Sequence, residues 1–312
     1  MKKQLVSYIF PIYNEAGTIP ILYKTISQVV NKNKNYNYEF IFINDGSRDN
    51  SLELLKDIQS DDARVAVIDF ARNFGHQMAV TAGIDYARGD AIIIMDSDMQ
   101  DPPQVSLNLI EKWEEGYDVA YAQRRSRKDS FFKKITADLF YRALHILADI
   151  DIPRNTGDFR LIDRKVAEEL KRYKEHNRFL RGMVSSIGFK QTGVLFDREE
   201  RYAGVTGYPL KKMLKFAKDG IFGFSSAPLT VISRLGYTIA TLSVIGILYA
   251  FAAFLLGTTV EGWTFIVISI FLVGGIQLIM LGVLGGYIGR IYTEVQDRPL
   301  YSVRAVYEKN NT

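Results

Sequence analysis

The chain predicts an α/β domain followed by helices that enter a membrane. Three observations carry this. Residues 4 to about 125 alternate short apolar runs with helix-like segments, as in a mostly parallel sheet covered on both faces. Two long charge-free stretches lie in the last quarter of the chain. Polar clusters follow directly after the strand-like runs, at the edge where such sheets bind ligands.

The elements follow in order. Residues 5–12 read as a strand and 17–30 as a helix. Residues 40–43 form a strand ending in Asn44-Asp45-Gly46-Ser47, and 49–59 a helix with Asp49 or Asn50 as N-cap. Residues 65–70 are a strand, 77–87 a helix and 91–95 an apolar strand bounded by Gly89-Asp90. Asp96-Ser97-Asp98 emerges where that strand stops. Pro102-Pro103 opens the next helix, since proline is tolerated in a first turn. Residues 118–122 are a further strand.

Residues 235–256 and 263–288 carry no charge, and about 20 apolar residues span a bilayer. The connector between them has no Lys or Arg. Lys211, Lys212, Lys215, Lys218 and Arg234 precede the pair, and Arg290, Arg298, Arg304 and Lys309 follow it. The positive-inside rule then predicts both termini in the cytoplasm and the short connector outside; the expected location is the plasma (inner) membrane. Lys2 and Lys3 precede only a short apolar run that meets Pro11, so no signal peptide is expected there. The expected organisation is a core over 1–129, an acceptor-side part with interfacial helices over 130–230, two transmembrane helices over 231–290 and a cytoplasmic tail over 291–312.

Two segments have the character of interfacial helices. In 131–150, Phe131, Phe132, Ile135, Leu139 and Phe140 recur at near-helical spacing among Lys133, Lys134 and Arg142. Residues 208–224 repeat the style with four lysines. Basic amphipathic helices can lie in the headgroup plane; packing on the soluble domain is the other reading. Gly282-x-x-x-Gly286 and Gly285-x-x-x-Gly289 permit close helix approach, either to the first span or to a second subunit in a homo-oligomer. Gln277 is the polar group of the second span, as interhelical glue or merely tolerated.

Composition excludes several chemistries. The chain has no Cys, hence no disulfides or thiolate nucleophiles, and its three His stand apart in sequence, against a His-rich zinc centre. No G-x-x-x-x-G-K-[ST] loop exists, and no G-x-G-x-x-G follows a strand. Its net charge of +4 is concentrated near the apolar stretches and not in an aromatic-interleaved groove, so nucleic-acid binding is not expected. What remains is acidic residues and arginines. Two carboxylates one residue apart resist joint ionisation unless a cation sits between them. Mg²⁺ or Mn²⁺ takes carboxylate oxygens together with substrate phosphates. Arg124, Arg125, Arg127, Arg160, Arg198 and Arg201 offer planar forks for phosphate.

Pro11-Ile12-Tyr13-Asn14-Glu15, Asn44-Asp45-Gly46-Ser47 and Asp96-Ser97-Asp98-Met99-Gln100-Asp101-Pro102-Pro103 together resemble the inverting family-2 glycosyltransferases of GT-A fold. Within them the chain is most similar to the dolichyl-phosphate mannose synthase-like branch, and there to bacterial bactoprenol (undecaprenyl-phosphate) glucosyltransferases with two C-terminal membrane helices. The resemblance implies a Rossmann-like, mostly parallel GT-A sheet. It implies that Pro11, Tyr13, Glu15 and Asp45 line a nucleotide pocket, with Asp45 near the base or ribose. Asp96 is expected near ribose and donor, Asp98 as the main metal ligand with Asp96 beside it, and Gln100 beside the donor and the metal. Arg124 or Arg125, Arg160 and Arg201 would hold phosphates, and Asp158 is a catalytic-base candidate or a structural acid. Relatives often carry Lys after the Gly of Asn73-Phe74-Gly75-His76, so a role for a cation at His76 is in question.

The reaction so implied is transfer of glucose from UDP-glucose to a polyprenyl phosphate, with inversion. UDP-N-acetylglucosamine or GDP-mannose are alternative donors, and a membrane-anchored nucleotide-sugar binder without activity is the non-enzymatic alternative. A processive synthase is disfavoured, because no Q-x-x-R-W segment exists and two spans make no obvious conduit.

Overall fold

The computed structural model describes residues 3–125, 153, 156–197, 227–256 and 262–309. The anticipated helices 131–150 and 208–224 lie outside the described residues, as do Arg127, Arg198 and Arg201.

Eight strands form one sheet in the order β7-β5-β6-β4-β1-β2-β3-β8. Its centre comes from β1 (Leu5–Ile12), β2 (Asn37–Asn44), β3 (Val65–Phe70) and β4 (Ala91–Ile94), all mutually parallel. These strands are apolar on both faces, as burial under helices on each side requires. Val6, Tyr8, Phe10 and Ile12 of β1 face one core with Ile19, Leu22 and Ile26 of α1 (Ile19–Lys32) and Leu109 of α4 (Val105–Glu114). Ile9 faces the opposite core with Ala79, Val80 and Ile84 of α3 (His76–Tyr86). The helix α2 (Ser51–Asp61) links β2 to β3, with Asn50 at its N-cap position.

The flanks differ from the sequence expectation. The sheet is mixed: β6 (Thr156–Asp163) runs antiparallel to both β4 and β5 (Val119–Arg124), and β7 (Gln191–Phe196) pairs parallel to β5. β6 carries Asp158 and Arg160, both buried, and these charges interrupt the apolar pattern by which a strand is read from sequence. Because β6 is reversed, its first residues reach the edge where β4 and β5 end. Helices α5 (Arg164–Arg172) and α6 (Leu180–Ser186) then pack beside α3.

Two long helices follow, α7 (Ala227–Leu255) and α8 (Trp263–Val295). Within them Pro228–Ala253 and Leu272–Val295 are long and apolar enough to cross a bilayer, and none of either stretch is buried. Leu248, Tyr249, Leu278 and Ile279 are more than 60% exposed, which excludes the core of a soluble domain. Among the described residues, an added Cβ at Gly282, Gly285 or Gly289 meets nothing within 4 Å. Gln277 is exposed.

The expected tail is partly a strand. β8 (Val303–Tyr307) pairs antiparallel with β3 and closes that edge of the sheet. Tyr301 stacks on Phe70 at 5.1 Å, and its hydroxyl donates to Asp85 Oδ2 at 2.7 Å. Arg304 reaches Asp69 Oδ2 at 3.4 Å and donates to the Ala71 carbonyl at 2.8 Å. The end of α8 is tied down as well. The backbone N–H of His176 donates to Glu294 Oε1 at 2.9 Å, while its ring lies 2.9 Å from Oε2 and 2.6 Å from the Arg298 carbonyl.

Candidate active site

The carboxyl ends of β1, β2, β3 and β4 and the start of β6 meet along one edge. The β1 end is shaped by Asn14, which adopts φ 55°, a left-handed conformation that Asn tolerates. Its N–H donates to Ser47 Oγ at 3.0 Å and its Oδ1 accepts the Arg48 N–H at 2.8 Å, binding the first polar turn to the second. Tyr13 is 44% exposed at this edge, whereas Pro11 is buried and its carbonyl accepts the Ser97 hydroxyl at 3.1 Å. Glu15 helps to start α1, its Oε2 accepting the Thr18 hydroxyl at 3.0 Å.

Asp45 is buried and occupied. Its Oδ1 accepts the Phe74 N–H at 2.6 Å, and its Oδ2 accepts the Gly75 N–H and the Asn73 side-chain amide, each at 2.9 Å. Burial pushes its carboxyl up from the usual range, and the two backbone donors pull it back. Asp45 thus clamps the loop after β3. Gly46, at φ 64°, lets that loop approach: a Cβ there would lie 2.6 Å from backbone atoms of Arg72 and Asn73.

The acidic pair follows β4. Ser97 between the two acids is buried, so the pair is anchored at its middle. Asp98 Oδ1 accepts the Gln100 N–H at 3.1 Å across Met99 at φ 57°, and Gln100 and Asp101 are buried beneath. Arg124, at the end of β5, stands 3.8 Å from Asp101. Arg125 is exposed and joins the edge through its backbone N–H to Phe196.

Asp158 is the most densely partnered acid. Arg181 Nε donates to its Oδ1 at 2.7 Å; His76 Nε2 lies 3.1 Å from its Oδ2, and Gln77 Nε2 donates to Oδ2 at 3.4 Å. Burial would raise this carboxyl, yet the Arg181 charge and the His76 hydrogen bond hold it well below the ordinary range. His76 stands between two acids, with Asp96 Oδ1 3.6 Å away. Desolvation lowers its imidazole, but the bond to Asp158 and the Asp96 charge push it up to about 9, so it is a cation at neutral pH. Asp96 is raised by desolvation and by the charges of Asp158 and Asp98, against the opposing pull of His76. Arg160 is buried, donates to the Gly157 carbonyl at 3.0 Å, and is lowered to about 10 by burial.

The edge therefore gathers Tyr13, Asp45, Asp96, Asp98, Gln100, Arg124, Asp158 and Arg160. Sequence reasoning missed Arg181 and Gln77 and questioned His76. His76 had a readable signal, because it follows the polar turn after β3; Arg181 had none, since its contact with Asp158 is purely tertiary. Among the described residues no group of three or more His, Asp or Glu side chains forms a ready metal site. Asp98 and Asp96 offer oxygen donors only, a set suited to a hard cation completed by substrate phosphates.

The family model described as "Glycosyl transferase family 2" matches residues 7–171. An uncharacterized glycosyltransferase of Bacillus subtilis, YkcC, is 52% identical over 98% of this chain and 95% of its own length. A prophage-derived bactoprenol glucosyl transferase of Shigella flexneri is 39% identical over 98% of this chain and 99% of its own. Among solved structures, glucosyl-3-phosphoglycerate synthase of Mycobacterium tuberculosis aligns with 18% identity and a TM-score of 0.48, over 70% of this chain and 78% of that one. With a matching family model over half its length and full-length relatives well above 30% identity, the chain belongs to glycosyl transferase family 2.

Proposed function

We propose that the protein transfers glucose from UDP-glucose, with inversion, to undecaprenyl phosphate at the cytoplasmic face of the plasma membrane. The observation that carries this is the joining, in one chain, of an acidic and cationic sheet edge to two exposed apolar helices. The Shigella flexneri relative, named for bactoprenol glucosyl transfer over nearly its full length, supports the lipid acceptor and the sugar.

The donor diphosphate lies against Asp98 and Asp96, with Tyr13 beside the nucleoside and Gln100 beside the donor and the metal position. A bound Mg²⁺ or Mn²⁺ would supply Lewis-acid neutralisation of the leaving diphosphate there. Arg124 and Arg125 face the same edge, and Arg201 is assigned to phosphate from its sequence motif. Arg160, buried behind Asp158, keeps its charge at neutral pH and balances the acids. The acceptor phosphate has a second pKa near ~6 and is largely dianionic at pH 7, so its oxygen attacks the anomeric carbon without a strong base. Asp158, with both oxygens engaged, orients neighbours instead of taking a proton. Backside attack yields a β-linked polyprenyl phosphate glucose and releases UDP.

The placement of β8 on the catalytic sheet supports the orientation: residues on both sides of the α7–α8 hairpin belong to one compartment, and the connector faces the other. The proposed organisation keeps residues 1–129 as donor-binding core and 130–230 as acceptor side, with 231–290 in the membrane.

The test is transfer of labelled glucose from UDP-glucose to undecaprenyl phosphate with Mg²⁺ or Mn²⁺. Asp98→Asn is expected to lose at least about 10²-fold in kcat, in line with removal of a charge-stabilising group. Near wild-type turnover sinks the assignment of Asp98.

A further inference from the structure

Asp158 sits at the reaction edge, yet its two oxygens are already taken, which raises the question of what holds it so. The answer lies in residues 176–181. The segment starts at His176, bonded to Glu294 at the end of α8. Arg178 then donates to Thr81 Oγ1 of α3 at 3.2 Å, and the Leu180 N–H donates to Gln77 Oε1 at 3.0 Å. Arg181 comes next, with Nε on Asp158 Oδ1 at 2.7 Å and Nη1 on the Thr156 carbonyl at 3.4 Å. One guanidinium thus grips both the acid and the backbone at the start of β6. Gln77 is shared: it receives the Leu180 N–H and donates to Asp158. The acid in turn sets His76, whose Nε2 spans Asp158 at 3.1 Å and Asp96 at 3.6 Å.

We propose that Arg181 is a positioning residue for sugar transfer, fixing Asp158 and through it His76 against Asp96 at the donor-diphosphate edge. The proposal rests on the transfer reaction argued above. Without Arg181 the Asp158 carboxylate keeps partners on Oδ2 only and is drawn toward His76, and His76 shifts away from Asp96. The donor still binds, because Tyr13, Asp98 and Gln100 are set by the turns after β1 and β4; the bound diphosphate is misaligned. Loss therefore falls on kcat, not on donor affinity.

The full-length protein in lipid nanodiscs serves for the test, with Arg181→Gln, Arg181→Lys, Asp158→Asn and the double variant Arg181→Gln/Asp158→Asn. Readouts are kcat and donor KM for transfer to undecaprenyl phosphate, and UDP affinity by calorimetry with Mn²⁺. Arg181→Gln is expected to lose roughly 10²-fold in kcat, the scale of a small misplacement at a reacting centre, with donor KM and UDP affinity within about threefold. Arg181→Lys, which keeps the charge and one bond, recovers about tenfold of that loss. The double variant is no more than about threefold worse than the worse single variant, because both changes break one contact. Wild-type kcat in Arg181→Gln, additive losses in the double variant, or a fall in UDP affinity that matches the fall in kcat each overturn the positioning role. Wild-type protein that binds UDP but transfers no sugar to the lipid phosphate overturns the transfer reading itself, and the positioning role with it.

Discussion

Gly46→Ala is a small change with a large expected effect. A Cβ at this position would sit 2.6 Å from the Arg72 carbonyl carbon and from the Asn73 nitrogen, both backbone atoms. Ordinary contact begins near 3.4 Å, so the 72–75 loop must retreat by about 0.8 Å. The Asp45 bonds to Gly75 N–H and to the Asn73 amide, now 2.9 Å, would stretch to about 3.7 Å, beyond hydrogen-bond range. Each bond to a charged acceptor contributes about 1.5–3 kcal/mol. The φ of +64° adds about 1–2 kcal/mol for a residue with a Cβ. Partial relaxation leaves a loss of about 3–5 kcal/mol, which for a domain of this size lowers the melting midpoint by roughly 10 °C. Thermal unfolding in detergent measures the midpoint, and amide hydrogen exchange at Phe74 and Gly75 locates the loss. A midpoint within about 1 °C of wild type, with unchanged protection of those amides, refutes the claim that Gly46 is required for the Asp45 clamp.

Other perturbations follow from the same contacts. His76→Lys keeps a cation between Asp158 and Asp96 and is expected to retain turnover within about tenfold, whereas His76→Leu loses about 10²-fold or more, as measured by labelled-sugar transfer. Tyr301→Phe preserves stacking on Phe70 but strips the hydroxyl from Asp85, costing about 1–3 kcal/mol in chemical denaturation. His176 is raised above its ordinary 6.5 by its bonds to Glu294 and the Arg298 carbonyl, with Asp297 adding to them. Its folded form therefore binds the proton more tightly, so its stabilisation is complete below pH 6.5 and fades as pH rises through the raised value. Melting midpoints of wild type should fall over that window, and His176→Gln should flatten the fall.

The central strands and the acidic pair were legible because local pattern and tertiary role coincide. β1 and β3 are apolar runs that end in polar turns, and β4 is four apolar residues followed by Asp96-Ser97-Asp98. β6 was hidden because Asp158 and Arg160 lie inside a buried strand, where two charges break the apolar pattern that marks a strand. β8 was hidden for another reason: its alternation marks a half-covered edge strand, and its partner β3 lies more than 230 residues away. The acids of the site could be picked out by type and by strand end. Their occupancy could not: that Asp45 is consumed by a loop, and Asp158 by Arg181 and His76, depends on contacts across the fold.

The C-terminal strand has a bearing on how the protein is made. β3 is the edge of the parallel sheet until residues 303–307 reach it, and those residues leave the ribosome only after both apolar helices. An uncovered edge strand is a template for wrong pairing, so the nascent sheet passes through a vulnerable interval. In the proposed membrane orientation, that interval closes when the α7–α8 hairpin has brought β8 back to the side it left. In that orientation, completion of the sheet is a readout of membrane insertion. A chain whose second helix fails to return leaves β3 unpaired and Phe70 without Tyr301, a state that quality-control proteases can recognise.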